Sequence, residues 1–307
     1  MRVWDKLFWV SGVLWIGCTR APEWLQEAPL VGMRVRDDKG QEHYLKAPPQ
    51  RVALCTGEAL LLWEKAGLFS MVQAACVGEG DNARFFYLPC EDSLLLLEVL
   101  YRLRPDWVWF SEKNLLTAQA FPAYVFAPKS TAEWLRNLRQ LGALYDNPPL
   151  IRVADSLQAL VTSLQKKLQE ARRLRVAVIA LGSPFQLVTT RHPLATLIQE
   201  AGGSVLYCDS LPPLDTLRAN PPDVLLIPEG STELLNDFLT HYPEGYTFPA
   251  LQYKRLFSIE RWMIERPFAD APTAFFSLVR ILHPELTGSA SEPPAEEIEK
   301  AAQEHAQ

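Results

Sequence analysis

Two carboxylates occupy matching places in a repeated stretch of the sequence. Leu97–Glu112 and Leu214–Glu229 align without a gap, and the second residue of each is an acid, Glu98 or Asp215. A carboxylate forms strong paired hydrogen bonds with an arginine. Two such acids, one on each of two similar lobes, would engage paired arginines of a partner. The alternative is that both are water-exposed acids near helix N-termini, where the helix dipole favours negative charge.

The familiar sequence patterns for catalysis are missing. The chain contains no GxGxxG, P-loop, GxSxG or CxxC motif, and no carboxylate pair or Cys-His pair at a spacing that would single out a reaction. Its five histidines are scattered, and only His192 falls in a loop predicted to follow a strand. A single histidine is more often a satisfied polar residue than a metal ligand. We therefore expect neither an enzyme nor a bare-metal site.

Charge and cysteine usage restrict the partners and the compartment. The chain has 307 residues, a net charge of -6 and a pI near 5.5, so nucleic acid, which needs a basic protein face, is not an expected partner. Beyond the N-terminal segment the cysteines are Cys55, Cys76, Cys90 and Cys208. Pairing outside the cytoplasm and burial as free thiols both remain open.

The N-terminus has the order of a secretion signal. Residues 1–17 begin with basic residues and continue into the apolar run Leu7–Ile16, which is too short to span a bilayer of roughly 30 Å. The run ends in glycine followed by Cys18, as at the processing site of bacterial lipoproteins. We predict a signal peptide over 1–17, lipidation of Cys18 and a tether over 18–32. The alternative is a buried N-terminal helix with an ordinary core cysteine.

The two halves of the chain follow one plan of secondary structure. Each begins with an Arg-Val-Ala strand, at Arg51–Cys55 and Arg175–Leu181, followed by a helix that ends in Ala-Gly. A second strand follows, at Met71–Val77 and Val205–Cys208, and then the repeated helix, Pro-Asp turn and apolar strand. This order predicts an α/β fold of two Rossmann-like lobes. The alternative is coincidence, because Pro-Asp commonly precedes a strand.

A long helix is predicted between the lobes. Over residues 150–173 the apolar residues recur at three- and four-residue steps, with basic residues near the end, which is typical of one helix roughly 30 Å long. The N-terminal lobe then covers 33–149 and begins with a small hairpin that turns at Asp38–Gly40. The C-terminal lobe covers 174–287 and ends with a helix predicted over Phe275–Leu282. The acidic residues 288–307 form a disordered tail. A single stiff connection predicts limited movement between the lobes.

The succession of these segments resembles the helical-backbone substrate-binding proteins of ABC importers, which include receptors for ferric siderophores, haem and cobalamin. The resemblance spans roughly residues 34–286, and its most specific parts are the acid-to-Pro-Asp segment and the LATLIQEAGG helix. It implies a ligand cleft between the lobes and a monomeric, membrane-anchored lipoprotein in the periplasm or outside the cytoplasmic membrane. That protein would deliver a small-molecule chelate to an ABC permease.

The resemblance also implies roles for particular residues. In this family a glutamate on the top surface of each lobe forms salt bridges with permease arginines, and by position these resemble Glu98 and Asp215. The ligand lies against loops that follow the strands, among them 181–191 and Arg261–Arg266. The aromatic and basic residues singled out there are Arg84, Phe85, Tyr87, Phe185, Arg191 and Trp262. Aromatic rings offer rigid faces to a macrocycle or an aryl chelator, and arginines pair with its carboxylates. An iron held inside a chelator needs no protein ligand.

Two other functions fit the same architecture. A two-lobed α/β enzyme would have a similar cleft, because a fold does not establish a function. A surface lipoprotein that interacts with other proteins and binds no small ligand is the second alternative. For each aromatic residue of the predicted cleft, packing in the core or at a lobe edge is the competing interpretation.

Overall fold

The computed structural model describes residues 32–76, 86–111, 121–180, 186–206 and 213–287. The predicted signal peptide, nearly all of the predicted tether and the predicted tail therefore lie outside the described residues, as do Cys18 and Cys208. Within the described ranges, no helix is both long enough and apolar enough to cross a membrane. The first element is the predicted hairpin, in which β1 (Met33–Arg36) pairs antiparallel with β2 (Glu42–Leu45).

Each half of the chain forms its own parallel sheet. The first sheet has the order β5-β4-β3-β6-β7 and consists of β3 (Val52–Cys55), β4 (Val72–Ala75), β5 (Phe86–Tyr87), β6 (Trp107–Phe110) and β7 (Ala123–Val125). The second has the order β10-β8-β11-β12, with one antiparallel strand on β8, and consists of β8 (Leu174–Ala180), β9 (Gln186–Leu187), β10 (Gly203–Val205), β11 (Val224–Pro228) and β12 (Leu256–Ile259). The core orders β4-β3-β6-β7 and β10-β8-β11-β12 correspond strand for strand, which confirms two Rossmann-like lobes.

The helices cover both faces of these sheets. They are α1 (Gly57–Lys65), α2 (Ser93–Leu103), α3 (Thr131–Leu144), α4 (Pro148–Glu170), α5 (Pro193–Glu200), α6 (Pro213–Ala219), α7 (Thr232–His241), α8 (Pro249–Gln252), α9 (Arg261–Glu265), α10 (Ala271–Leu282) and α11 (Pro284–Thr287). Short 3-10 turns lie at Phe69–Met71 and Pro243–Thr247.

The repeated Arg and Pro-Asp residues meet at the amino ends of the strands. In the first lobe the Asp106 carboxylate accepts hydrogen bonds from Arg51, from its backbone N–H at 3.0 Å and its guanidinium at 2.7 Å. In the second lobe Asp223 accepts the backbone N–H of Arg175 at 2.9 Å and its Nε–H at 3.0 Å. The first pair fixes β6 against β3 and the second fixes β11 against β8, so the repeat in the sequence marks one recurring contact.

Acid should weaken both of these pairs. Hydrogen bonds from the arginine side chains hold the pKa of Asp106 and of Asp223 below the ordinary value of 3.8. A carboxylate whose pKa is lowered by folding stabilises the protein fully above its unfolded pKa, and that stabilisation is lost as the pH falls through its folded pKa. We therefore expect the free energy of unfolding to decline below about pH 4.

Replacement of the more buried aspartate tests this expectation. Asp223→Asn should lower the free energy of unfolding by about 2 kcal/mol at pH 7, because hydrogen bonds to a charged group are lost, and should flatten the decline between about pH 4 and pH 2. Urea denaturation across this pH range measures both effects. Asp146→Asn, in an exposed turn, is the matched control. Identical acid profiles for the wild type and Asp223→Asn would contradict the assignment.

One hydrophobic core runs through both lobes. Alternate residues of β3 point to opposite faces, so Val52 and Leu54 join the central cluster while Ala53 and Cys55 join a separate outer cluster with α2. The same central cluster contains Val176 of β8 and side chains of α3, α4, α5 and α10. A third cluster covers the outer face of the second sheet under α7 and α8. The lobes therefore share their largest buried region.

The connecting helix is α4, and its 23 residues extend about 34 Å at 1.5 Å per residue. It begins two residues before the predicted start, because proline is well tolerated in the first turn of a helix and the Asn147 side chain accepts the N–H of Leu150 at 3.1 Å. It ends at Glu170, three residues before the predicted end. Helix α3, which the sequence reading did not predict, packs along it, and Arg139 of α3 bonds to Asp155 of α4 at 2.8 Å.

Two polar contacts also join the lobes. Lys65 at the end of α1 forms an ion pair with Asp270, which precedes α10, at 2.7 Å. Glu200 at the end of α5 accepts the hydroxyl hydrogen of Thr131, the first residue of α3, at 2.6 Å. Burial raises the pKa of Glu200. The connection between the lobes is therefore broader than the single helix that was predicted.

Two predicted boundaries in the second lobe were wrong. The second strand lies at Gly203–Val205 rather than Val205–Cys208, because Gly203 itself enters the sheet opposite Leu174. A Cβ at Gly203 would lie 2.6 Å from a methyl group of Ile198, so only glycine fits there. The last long helix begins at Ala271, four residues before the predicted Phe275, because Pro272 suits a first helical turn.

Candidate functional site

The carboxyl ends of the parallel strands define the edge at which a ligand would bind. In open α/β sheets ligands occupy the crevice outside these ends. Several of the connecting segments at this edge lie outside the described residues. The described part consists of Thr56–Glu58 after β3, Phe86 and Tyr87 beside β4, Ser111 after β6, and Glu260–Arg266 after β12.

Arg266 and Gly57 bring the two lobes together at this edge. A Cβ at Gly57 would lie only 3.2 Å from Nη1 of Arg266 and 3.7 Å from the carbonyl oxygen of Cys76. Gly57 is the first residue of α1, so the guanidinium lies beside the positive end of a helix dipole. Within the described ranges no ion pair neutralises the exposed Arg266 side chain. A guanidinium and a helix N-terminus placed together favour an anion between them.

Sequence reasoning missed Arg266, although the segment Arg261–Arg266 was predicted to face the cleft. Trp262, four residues earlier, was predicted as a ligand contact instead, because aromatic rings offer rigid faces to a macrocycle or an aryl chelator. The only signal for Arg266 was a basic residue in a segment that follows a strand. The contact with Gly57 joins residues 209 positions apart and is not visible in the sequence.

The structure describes three of the six aromatic and basic residues that were predicted to contact the ligand. Arg84, Phe85 and Phe185 lie outside the described residues. Tyr87 is the last residue of the short edge strand β5, where it pairs with Ala75, and it is exposed together with Phe86.

Trp262 is half-buried and packs against the central core. Its indole N–H donates to the Glu260 carboxylate at 2.6 Å, so the ring has both a structural role and a partly open face. Of the predicted ligand contacts that the structure describes, only Trp262 lies in Glu260–Arg266. That segment contacts the other lobe through Arg266.

Arg191 lies in the short connection between β9 and α5. After β8 the chain turns back, and Gln186 and Leu187 of β9 pair antiparallel with Ala180 and Ile179. Arg191 follows four residues later, just before α5, where its backbone N–H donates to the Thr189 hydroxyl at 3.3 Å. The turn back was not foreseen, because 181–191 was interpreted as one loop at the cleft.

The lone histidine of the predicted loops has a structural partner. Nδ1 of His192 accepts the N–H of Leu194 at 3.2 Å and caps α5. Burial lowers the pKa of His192, so the ring is neutral at pH 7. In the described part of the chain, no three His, Cys, Asp or Glu side chains are grouped so as to hold a metal ion.

A disulfide spans the base of a predicted cleft segment. Cys76, after β4, is bonded to Cys90, after β5, and their Cα atoms are 6.0 Å apart. The bond closes the segment that carries Arg84, Phe85 and Tyr87. Cys55 is a free buried thiol, and burial raises its pKa to about 12, so it stays protonated and unreactive. Disulfides persist in oxidising environments, which agrees with a protein outside the cytoplasm.

Glu98 and Asp215 are both exposed on their helices. Glu98 is the sixth of eleven residues in α2 and forms an ion pair with Arg102 one turn later, at 2.5 Å. The helix-dipole interpretation therefore does not apply to Glu98, because Asp92 caps that helix instead. It does apply to Asp215, which lies in the first turn of α6.

Large apolar side chains surround Glu98. Leu94, Leu95 and Tyr101 lie three or four residues from it on α2, and Leu94 and Tyr101 are 80% and 60% exposed. The second lobe repeats this combination in part. Arg218 of α6 donates to Glu244 at 2.7 Å, and Tyr246 beside that pair is 65% exposed. Exposed apolar groups clustered around charges are typical of protein–protein contact sites.

Comparison with known proteins gives structural matches and no sequence matches. No family profile and no curated protein matches the chain. The periplasmic vitamin B12 binding protein BtuF of Vibrio cholerae matches with TM-score 0.61 and 16% identity, over 76% of this chain and 97% of that one. Helicobacter pylori CeuE with Ni(II) bound matches with TM-score 0.64 and 14% identity, over 89% of this chain and 96% of that one.

A third structure extends this agreement. The TroA-like periplasmic binding protein FepB of Veillonella parvula matches with TM-score 0.62 and 13% identity, over 89% of this chain and 95% of that one. The chain has the fold of periplasmic substrate-binding proteins. The resemblance that the sequence suggested is confirmed at the level of the fold.

In this substrate-binding fold the features described above occupy two surfaces. Gly57 follows β3, Trp262 and Arg266 follow β12, and Tyr87 ends the edge strand β5. Glu98 and Asp215 lie on helices that precede strands β6 and β11. The residues at the ligand edge and the two acids are therefore on different elements, so the acids can be replaced without replacing a residue at the ligand edge.

Proposed function

We propose that the chain is the extracytoplasmic substrate-binding component of an ABC importer. It captures a bulky chelate or tetrapyrrole, of the ferric siderophore, haem or cobalamin type, and delivers it to the membrane permease. The observation that carries this proposal is the two-lobed fold shared, over most of the chain, with proteins named for vitamin B12 binding and periplasmic binding. The disulfide adds support for the compartment. A signal peptide at 1–17, lipid on Cys18 and a monomeric state complete the proposal.

The cleft chemistry supports an anionic ligand with flat surfaces. Arg266 beside the N-terminus of α1 attracts a carboxylate or phosphate. Trp262 and the exposed Tyr87 present aromatic faces to an aryl chelator or a macrocycle. Arg84, Phe85, Phe185 and Arg191 remain proposed contacts in the same role.

A ligand screen tests this function. The chain without residues 1–17 contains most of its tryptophans, so binding can be followed by quenching of tryptophan fluorescence. Haem, a ferric siderophore and cobalamin are titrated in turn, and the same titrations of N-acetyltryptophanamide correct for light that the ligands absorb. We expect saturable quenching by one class of ligand. If none of the three classes binds, the receptor assignment fails.

Replacement of Arg266 gives a site-specific prediction. Arg266→Ala should weaken binding of an anionic ligand by about 10- to 100-fold, because a charge-assisted hydrogen bond is worth roughly 1.5–3 kcal/mol. Arg152→Ala, an exposed arginine on α4, is the matched control and should leave the dissociation constant unchanged. Equal affinities for wild type and Arg266→Ala would remove Arg266 from the site.

Docking to the permease is proposed for Glu98 and Asp215. Glu98 already has an arginine partner in Arg102, so an arginine of the permease would replace a partner that is present in the free protein. The surrounding Leu94, Leu95 and Tyr101 would bury apolar area in the same contact. Charge at such a surface gives orientation and fast encounter more than affinity.

A further inference from the structure

Arginines collect in a groove on the second lobe, at the amino ends of its strands and therefore opposite the ligand edge. Two cavities of about 600 and 370 Å³ adjoin there, since both are lined by Arg172 and Arg255. We call this the distal groove. Its lining also includes Arg175, Asp223, Tyr253, His283, Pro284 and Glu285.

The lining of the distal groove contains three arginines and two carboxylates, Asp223 and Glu285. Arg175 satisfies Asp223 through three hydrogen bonds of 2.9–3.0 Å. Arg172 reaches the same carboxylate only at 3.4 Å, and its side chain is 77% exposed. Arg255 is also exposed, and its charge lies near enough to the Glu285 carboxylate to contribute to the lowered pKa of that group. Lys254 beside it adds a further exposed cation.

The first lobe provides an internal comparison. There Asp106 at the equivalent strand ends has one arginine partner, Arg51, and also accepts the backbone N–H of Gln50. The repeated contact therefore accounts for Arg175, whereas Arg172 and Arg255 are cations that the first lobe does not have at the equivalent place. Guanidiniums placed in an open groove are suited to carboxylates, which they bind through paired hydrogen bonds.

The chain itself carries carboxylates to this place. Helix α11 contributes Pro284 and Glu285 to the groove, and the described chain leaves the groove at Thr287. The next twenty residues, 288–307, contain one lysine and five glutamates, which are Glu292, Glu296, Glu297, Glu299 and Glu304. Glu292 is five residues beyond Thr287, a reach of up to about 17 Å. The glutamates after it reach further.

We propose that the acidic segment 292–299 docks in the distal groove of its own chain, with glutamates paired to Arg172 and Arg255. Local tethering supports this occupant over a free anion, because a nearby segment of the same chain has a high effective concentration. The inference does not depend on the proposed transport function, since it concerns the opposite end of the lobe.

Cross-linking of the full-length chain tests the proposal. A carbodiimide joins a carboxylate to an amine only when they are in contact. Lys254 is exposed at the groove's border, between the lining residues Tyr253 and Arg255 in the chain. We expect mass spectrometry to find the glutamates of 292–299 linked to Lys254 at least fivefold more often than to Lys46, an exposed lysine of the first lobe. Equal yields at the two lysines would overturn the proposal.

Salt and charge reversal separate docking from chance proximity. The Lys254 yield should fall several-fold between 0.05 and 0.5 M NaCl, because the Debye length shrinks from about 14 to about 4 Å. Arg172→Glu with Arg255→Glu should reduce it at least fivefold, whereas Arg152→Glu, on α4 and outside the groove lining, should not. Arg172→Gln with Arg255→Gln repeats the test if charge reversal disturbs folding. Unchanged yields in both double variants and in high salt would overturn the proposal.

Isotope mixing identifies the source of the docked segment. Light and ¹⁵N-labelled chains are combined before cross-linking, and the products are sorted by mass. Products within one label class support docking in the same chain. A majority of mixed-label products would instead assign the groove to the tail of a second copy and would overturn the intrachain proposal.

Discussion

Replacing Glu98 and Asp215 together with arginine should abolish ligand uptake while leaving ligand affinity nearly unchanged. The two acids lie on helices outside the ligand edge, so the cleft keeps its residues. Reversal of both charges would place arginine against the proposed arginines of the permease, and like charges facing each other across an interface cost several kcal/mol. Uptake in cells should fall by about 100-fold or more.

The control is a double variant of the same composition elsewhere on the surface. Glu170→Arg with Asp237→Arg also replaces one glutamate and one aspartate, both exposed. Its uptake should remain close to wild type, and both double variants should bind ligand equally in the fluorescence titration. If uptake survives replacement of Glu98 and Asp215, the docking assignment is wrong, whereas the ligand site is untouched by that result.

Removal of the Cys76–Cys90 disulfide should lower the free energy of unfolding by about 3 kcal/mol. The bond joins residues separated by 14 positions, and closing a loop of about 15 residues removes roughly that much chain entropy from the unfolded state. Urea denaturation of Cys76→Ala with Cys90→Ala measures the loss. Ligand affinity should fall as well, since the bond constrains the segment that carries three proposed contacts.

Reduction supplies the control for this prediction. Wild-type protein in dithiothreitol should lose the same stability as the double variant, and the variant should be insensitive to the reagent. Cys55 does not interfere, because it is buried and its thiol stays protonated. A wild-type protein with equal stability in oxidising and reducing buffer would show that the bond contributes nothing.

Local patterns in the sequence were enough to predict the lobes. Strands such as β3 and β8 are continuous apolar runs beside turn residues, and the gapless alignment of Leu97–Glu112 with Leu214–Glu229 predicted that the order would repeat. The long helix followed from its apolar spacing, with ends displaced by two or three residues. These features depend on neighbours in the chain, which a sequence displays directly.

The contacts that join distant residues were not predictable in this way. Arg51 and Asp106 are 55 positions apart, and Arg175 and Asp223 are 48 apart, yet each pair meets at adjacent strand ends. The choice of Cys90 as partner for Cys76 also depended on where β5 joins the sheet. For Gly57 and Arg266 the two lobes had to be placed together first, which no local pattern specifies.

The shared core has a thermodynamic consequence. Since the central cluster draws side chains from both sheets, neither lobe retains a complete interior when the other opens. Unfolding should therefore be one cooperative event for the whole described body, without a stage in which a single lobe survives. A destabilising change far out in one lobe would thus also reduce the population of intact clefts, even though it touches no residue that faces a ligand.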